Sequence, residues 1–250
     1  MHIDRRRFLR DSSSFGVYAL VAELSIAGPR AQGTPARRWV SLQNDLARDL
    51  SSGAISQARW HQDVNALAKE VDLESLAQEL RRARIKDAGV PFGHDPQKRF
   101  VTMLGDDGQP VRLGYGLALF DFGPSSVITP HAHRHMASAH LVIEGRVRVR
   151  TFDRVRDEEG ALLIRPTLDV IAEPGHAAAM TFAKDNVHWF APRSPRAMTL
   201  DVIVDGLDPG QERYLIQPVH PAGGRQLADG TIRAPLVSFE QSMALYGAGM

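Results

Sequence analysis

Thr129-Pro130-His131-Ala132-His133-Arg134-His135-Met136-Ala137-Ser138-Ala139-His140-Leu141-Val142-Ile143-Glu144-Gly145 is the stretch on which the reading of this chain turns. It gathers four of the 10 histidines and then runs through an apolar segment into glycine. Imidazole is the commonest protein ligand for divalent transition metals. Residues two apart on a strand point to the same face, so His131 and His133 aim their rings at one point. Two ligands do not make a tight site, and a third must come from elsewhere. The candidate is His188, in Ala183-Lys184-Asp185-Asn186-Val187-His188-Trp189-Phe190, which opens a short apolar strand well downstream. A site closed by two non-adjacent strands of a barrel needs a ligand so placed.

The sequence around these histidines has the period of strands. Arg99 to Leu104, a turn at Asp106-Asp107-Gly108, and Val111 to Phe122 read as a hairpin. Val127 to His133 follows, then the run from Ala139 to Phe152, a charged turn from Asp153 to Gly160, and Ala161 to Ile171. Ala177 to Phe182, Val187 to Ala191 and Ala197 to Val204 complete the set. Short strands separated by Gly and Pro turns predict an antiparallel barrel or jelly roll, with no strand–helix alternation to support a parallel sheet. Arg146, Arg148 and Arg150 share one strand face, which is either salt-bridged and solvated or an anion site. The tail from Asp205 carries strand-like pieces at Tyr214 to Pro218 and Leu236 to Phe239.

The region before the barrel has helical spacing. Trp39, Leu42, Leu46 and Leu50 recur at three and four, Ser56 and Asp72 are natural caps for two further helices, and Gly89-Val90-Pro91 ends the pattern. Residues 37–90 are therefore expected to form a helical arm that packs on the following domain or, in a homo-oligomer, on a partner subunit. His61 within it reads as a surface histidine. The N-terminus, Asp4-Arg5-Arg6-Arg7-Phe8-Leu9-Arg10 and a mildly apolar run to Ala27, looks like a twin-arginine export signal over residues 1–31. Its apolar part is too short to anchor in a bilayer. The expected location is the periplasm, the alternative being a basic amphipathic helix that stays attached.

Composition narrows the chemistry. Lys and Arg number 30 against 29 Asp and Glu, so nothing points to a nucleic-acid partner. There is no cysteine, which excludes disulfides, thiolate ligands, a cysteine nucleophile and iron–sulfur clusters. A metal here takes histidine, carboxylate or carbonyl ligands, which favours iron, manganese, zinc, nickel or copper.

His131, His133 and Gly145 fall at the spacing of the first motif of the cupin superfamily, Gly-x5-His-x-His-x3-4-Glu-x6-Gly, and His188 takes the place of the histidine in the second. Ser138 stands where that motif has glutamate, and Ala183-Lys184-Asp185 where the second has Pro-x-Gly. The chain thus resembles a cupin, a double-stranded β-helix, with a three-histidine set rather than the three-His-one-Glu set of germins. His131-x-His133-x-x-Met136, Val147-Arg148-Val149, Asp185-Asn186-Val187-His188 and Leu200-Asp201-Val202 are similar to thiol dioxygenases of the cysteamine dioxygenase and plant cysteine oxidase type. That resemblance spans about residues 98–205. It implies His131, His133 and His188 on iron(II), and Asp201 serving the substrate amine or orienting a ligand. His140, on the same face as Ser138, is open to several roles: acid or base, hydrogen-bond donor to bound oxygen, fourth ligand, or core histidine satisfied by backbone.

The expectation is an α-helical arm followed by a cupin barrel over 98–240. Its function would be that of a non-haem iron(II) dioxygenase using dioxygen on a small molecule, with a thiol converted to a sulfinate as the case implied by resemblance. The alternatives are a cupin that binds metal or a small ligand without turnover, and an oxygenase or isomerase acting on a non-thiol substrate.

Overall fold

The computed structural model describes residues 33–212 and 214–247; the expected export signal lies outside the described residues. Three helices come first: α1 (Pro35–Ser51), α2 (Gln57–Ala68) and α3 (Leu73–Arg82). Each starts on a side chain that accepts a backbone N–H three residues on: Thr34 from Arg37, Ser56 from Arg59, Asp72 from Ser75. Such caps satisfy amides that the first turn leaves without a helical partner. The arm ends earlier than the periodicity predicts. Ala83 is extended, and β1 (Arg84–Asp87) pairs antiparallel with β2 (Gln97–Thr102).

The remaining strands are β3 (Gly116–Phe122), β4 (Ile128–Arg134), β5 (Met136–Glu144), β6 (Val147–Glu158), β7 (Ala161–Ala172), β8 (Ala177–Met180), β9 (Val187–Pro192) and β10 (Ala197–Asp205). Two antiparallel sheets form, in the orders β1-β2-β3-β10-β5-β8 and β11-β4-β9-β6-β7-β13-β12, where β11 is Leu215–Pro218, β12 Arg225–Gln226 and β13 Ile232–Pro235. From β3 to β10 the first strand pairs with the last, and so on inward: β3 with β10, β4 with β9, β5 with β8, β6 with β7. One long hairpin has been wound up on itself. That is the double-stranded β-helix, the jelly roll of cupin type, with the helical arm in front of it.

Three expectations change in detail. The run from Ala139 to Phe152 is two strands in different sheets, broken at Gly145 (φ 69°), where an added Cβ would lie 2.1 Å from the Arg196 carbonyl oxygen. Only glycine fits that corner. The charged segment from Asp153 is not a turn, because β6 runs on to Glu158 and its charges find partners, Glu158 with Arg233 at 2.8 Å and Asp153 with Lys184 at 3.0 Å. In the tail, Leu236 forms an isolated bridge with Val219 rather than a strand, and Phe239 begins a helix, α4 (Phe239–Tyr246). A reciprocal capping box between Ser238 and Gln241 starts it.

The strands β5 and β10 have two buried faces. Ala137, Ala139, Leu141, Leu200, Val202 and Val204 pack outward against Trp39, Trp60 and Leu76 of the arm in one apolar cluster. Val142 belongs to a second cluster inside the barrel, with Phe122, Val149, Met180 and Phe190. By alternation Ser138 and His140 on β5, and Thr199 and Asp201 on β10, also face the interior. The helical arm thus lies on the chain's own barrel.

Candidate metal centre

His131 and His133 point inward from β4 while Ala132 between them packs outward with Phe152 and Val187. Strand β9 runs beside β4 and sets His188 directly across from His131. The ring centroids are 4.8 Å apart for His131 and His133, 4.2 Å for His131 and His188, and 4.6 Å for His133 and His188. One nitrogen from each ring lies within 4.8 Å of the others. Sequence reasoning names these three residues, and the fold brings them together.

Their orientation favours cation binding. His131 Nδ1 is 2.8 Å from the Thr129 carbonyl and His188 Nδ1 is 3.3 Å from that of Asn186. A carbonyl only accepts, so both Nδ1 atoms carry the hydrogen and both Nε2 atoms present a lone pair. His131 Nε2 faces His133 Nε2 at 3.0 Å. Burial, and then the neighbouring imidazoles, push His133 and His188 well below the usual histidine range, so they are held neutral, as ligands must be. His133 Nδ1 has no hydrogen-bond partner among the described residues, so nothing ties the hydrogen to its Nε2, and a cation between the three rings would take an Nε2 lone pair from each. The donor set fits a borderline divalent metal such as iron, zinc, manganese, nickel or copper, and His131, His133 and His188 would hold it.

The facing wall is built differently. His140 and Asp201 are directly opposed across β5 and β10, each 4% exposed. His140 Nδ1 meets the Thr199 hydroxyl at 3.0 Å and its Nε2 lies 3.6 Å from Asp201. Its ring packs 4.6 Å from Phe190 and stands 6.5 Å from that of His188. Both nitrogens are thus directed at the wall, outside the converging trio. Burial, then the charge of His131 and of Lys98, brings His140 down to about 3. Asp201 moves the other way: burial raises it well above the carboxylate range, against the pull of Lys98 and of the Ala139 amide. Its Oδ1 has no hydrogen-bond partner among the described residues, nor has the hydroxyl of Ser138, which is 1% exposed.

Lys98 on β2 is the residue that sequence reasoning missed. Its ammonium lies 5.2 Å from the Phe100 ring centre and 5.4 Å from that of Phe120, and burial lowers its affinity for the proton against the pull of Asp201. The available signal was a lysine in phase with Phe100 on a strand whose other face carries the buried Val101. The remaining histidines separate. His135 turns the corner from β4 to β5 with φ 62° and bonds Asp208. His220 meets the Tyr246 hydroxyl at 2.6 Å. His61 is not a free surface histidine, because its Nε2 lies 2.8 Å from Asp185. Arg148 grips Asp169 at 2.7 and 2.8 Å and Arg150 reaches the same carboxylate, which is the salt-bridged form of that strand face.

The comparisons with known proteins are structural. No family model and no curated protein matches the chain. A vicilin from Solanum melongena, whose structure revealed different anionic ligands in structurally similar pockets, is 11% identical over 42% of this chain and 26% of its own, with a TM-score of 0.33. An uncharacterized conserved protein with a double-stranded β-helix domain from Klebsiella pneumoniae subsp. pneumoniae is 15% identical over 51% of this chain and 83% of its own, at 0.33. The hydroquinone 1,2-dioxygenase PnpCD, in complex with Cd2+ and 4-hydroxybenzonitrile, is 18% identical over 38% of this chain and 61% of its own, at 0.30. This chain spans about a quarter of the vicilin's length and less than two thirds of the dioxygenase's. At these scores no activity or ligand passes from them to this chain, and the fold rests on the strand order itself.

Proposed function

We propose that this chain is a non-haem iron(II) dioxygenase that oxidises a small molecule inside the barrel, and that the molecule is a thiol converted to its sulfinate. The observation that carries the reading is the three-histidine set on one sheet, with no carboxylate in it, facing a polar wall of Ser138, His140, Asp201 and Lys98. Ferrous iron, when bound, supplies electrons to dioxygen and coordination positions that three neutral histidines leave open. The protein residues do the rest. The free Oδ1 of Asp201 receives a hydrogen bond from the substrate, and Lys98 sets the charge opposite it. Neutral His140, held by Thr199, keeps Asp201 in place. Phe120 and Phe190 flank the His140 ring and exclude water from that end of the interior. In this reading the enzyme works in the periplasm after export.

The balance is one dioxygen consumed per thiol, RSH + O2 giving RSO2H. Protein reconstituted anaerobically with iron(II) is offered cysteamine, cysteine and 3-mercaptopropionate in an oxygen electrode. Uptake with formation of the matching sulfinate is expected for one of them. Bound iron without uptake for any of the three overturns the thiol substrate and leaves a metal-binding barrel without this turnover.

A further inference from the structure

The helix α2 carries Gln57, His61 and Asn65 at four-residue intervals, a spacing that lines them up along one face. All three side chains reach the segment that leads into the candidate ligand His188. Phe182 N–H donates to Gln57 Oε1 at 2.9 Å, His61 Nε2 meets Asp185 Oδ2 at 2.8 Å, and Ala179 N–H donates to Asn65 Oδ1 at 3.2 Å. This stripe lies beside, and is separate from, the apolar one of Trp60, Val64 and Leu67 that joins the arm to the sheet.

Asp185 is where the stripe meets the metal centre. It sits at φ 51°, in the left-handed region, which a non-glycine residue keeps only where its surroundings hold it. Here they do: Thr151 and Thr167 hydroxyls donate to Oδ1 at 3.0 and 2.5 Å, Asp153 accepts its backbone N–H at 2.9 Å, and His61 takes the other oxygen. Burial raises its carboxyl, but the hydrogen bonds from His61 and the two threonines outweigh that and leave it below the carboxylate range. The next residue, Asn186, donates from Nδ2 to the carbonyl of His133 at 2.8 Å, and its own carbonyl orients His188 Nδ1. One step along the chain from Asp185, two of the three candidate ligands are therefore held.

We infer that the polar stripe Gln57–His61–Asn65 of the helical arm is a clamp on the metal centre, with His61 as a positioning residue that sets metal affinity through Asp185 and Asn186. The inference rests on the three-histidine metal reading and is independent of any substrate. Groups that orient metal ligands from outside the coordination sphere change affinity by about 10–100-fold when removed.

Cobalt(II) titration of the full chain, followed by its visible absorption and by calorimetry, tests this without turnover. His61→Ala is expected to bind cobalt about 10-fold more weakly, with a shifted absorption band and a nearly unchanged thermal midpoint. His61→Gln, whose Nε2 can still donate to Asp185, restores most of the affinity. Arg59→Ala, on the exposed side of the same helix, leaves it unchanged. Gln57→Ala, in the exposed first turn and so with little folding risk, weakens it less, about threefold. Wild-type affinity and spectrum in His61→Ala and Gln57→Ala overturn the clamp, as does an equal loss in Arg59→Ala. Failure of the wild-type chain to bind cobalt overturns instead the metal reading beneath it.

Discussion

Each wall of the barrel presents to the interior a directly opposed pair of residues that contains histidine. On one sheet β4 and β9 oppose His131 to His188; on the other β5 and β10 oppose His140 to Asp201. The first pair fixes its protonated nitrogens on backbone carbonyls, and His131 turns its Nε2 toward a third histidine, His133. In the second, His140 Nδ1 meets the Thr199 hydroxyl and its Nε2 lies 3.6 Å from Asp201, whose Oδ1 has no partner among the described residues. The same residue type thus becomes a ligand or a wall according to what its second nitrogen meets. The outer faces differ as well, since helices seal one sheet and charged residues line the β6–β7 edge of the other.

The comparison can be broken most decisively at His188. His188→Ala should lower metal content from one ion per chain to a trace in elemental analysis, exceeding the roughly 10–100-fold loss typical of residues outside the coordination sphere. His140→Ala should keep its metal. If His140→Ala loses metal as completely, the two walls are not distinct. Next in size is the sealed outer face. Trp60, fully buried between arm and sheet, should cost about 3–5 kcal/mol when cut to alanine, read as a lowered denaturation midpoint.

Asp201→Asn and Lys98→Met sharpen the functional half of the contrast. Metal content should stay within about twofold, while turnover in the oxygen assay falls on the order of 10²-fold, the lower range for a lost acid–base group. Loss of metal in either variant would place the wall inside the coordination site. A smaller effect concerns pH. His140 is held at about 3 against its ordinary 6.5, so below 6.5 the unfolded chain binds a proton that the folded chain refuses. Stability of the metal-free protein should therefore fall as pH drops from 6.5 toward about 3, by up to about 1.4 kcal/mol per unit from this residue. His140→Gln should flatten the slope of the denaturation free energy against pH by that amount; an unchanged slope would mean that His140 takes up its proton as readily in the folded chain as in the unfolded one. Smallest of all, Val155→Thr at the exposed end of β6 should shift stability by less than about 0.5 kcal/mol in the same denaturation experiment.

Much of the candidate site was legible because strand alternation is local. His131 and His133 share a face by being two apart, and His188 opens a strand that any barrel closing on β4 must bring near. Gly145 was legible as a motif position, although its reason, the 2.1 Å approach to the Arg196 carbonyl, was not. The charged end of β6 reads locally as a turn because its stabilising partners, Arg233 and Lys184, lie far along the chain. His61 reads as a surface histidine for the same reason, its partner being 124 residues away.

By itself the sequence determined the strand pattern, the helical arm, the absence of cysteine ligands and the three histidines. All of these are set by composition or by the periods of 2 and 3.6, which need no knowledge of what lies opposite. Only the tertiary structure decided which histidine belongs to which wall, that Lys98 stands over Phe120, and that the arm grips Asp185. Those facts depend on strand register and on helix docking, which bring distant residues together and leave no local periodic trace.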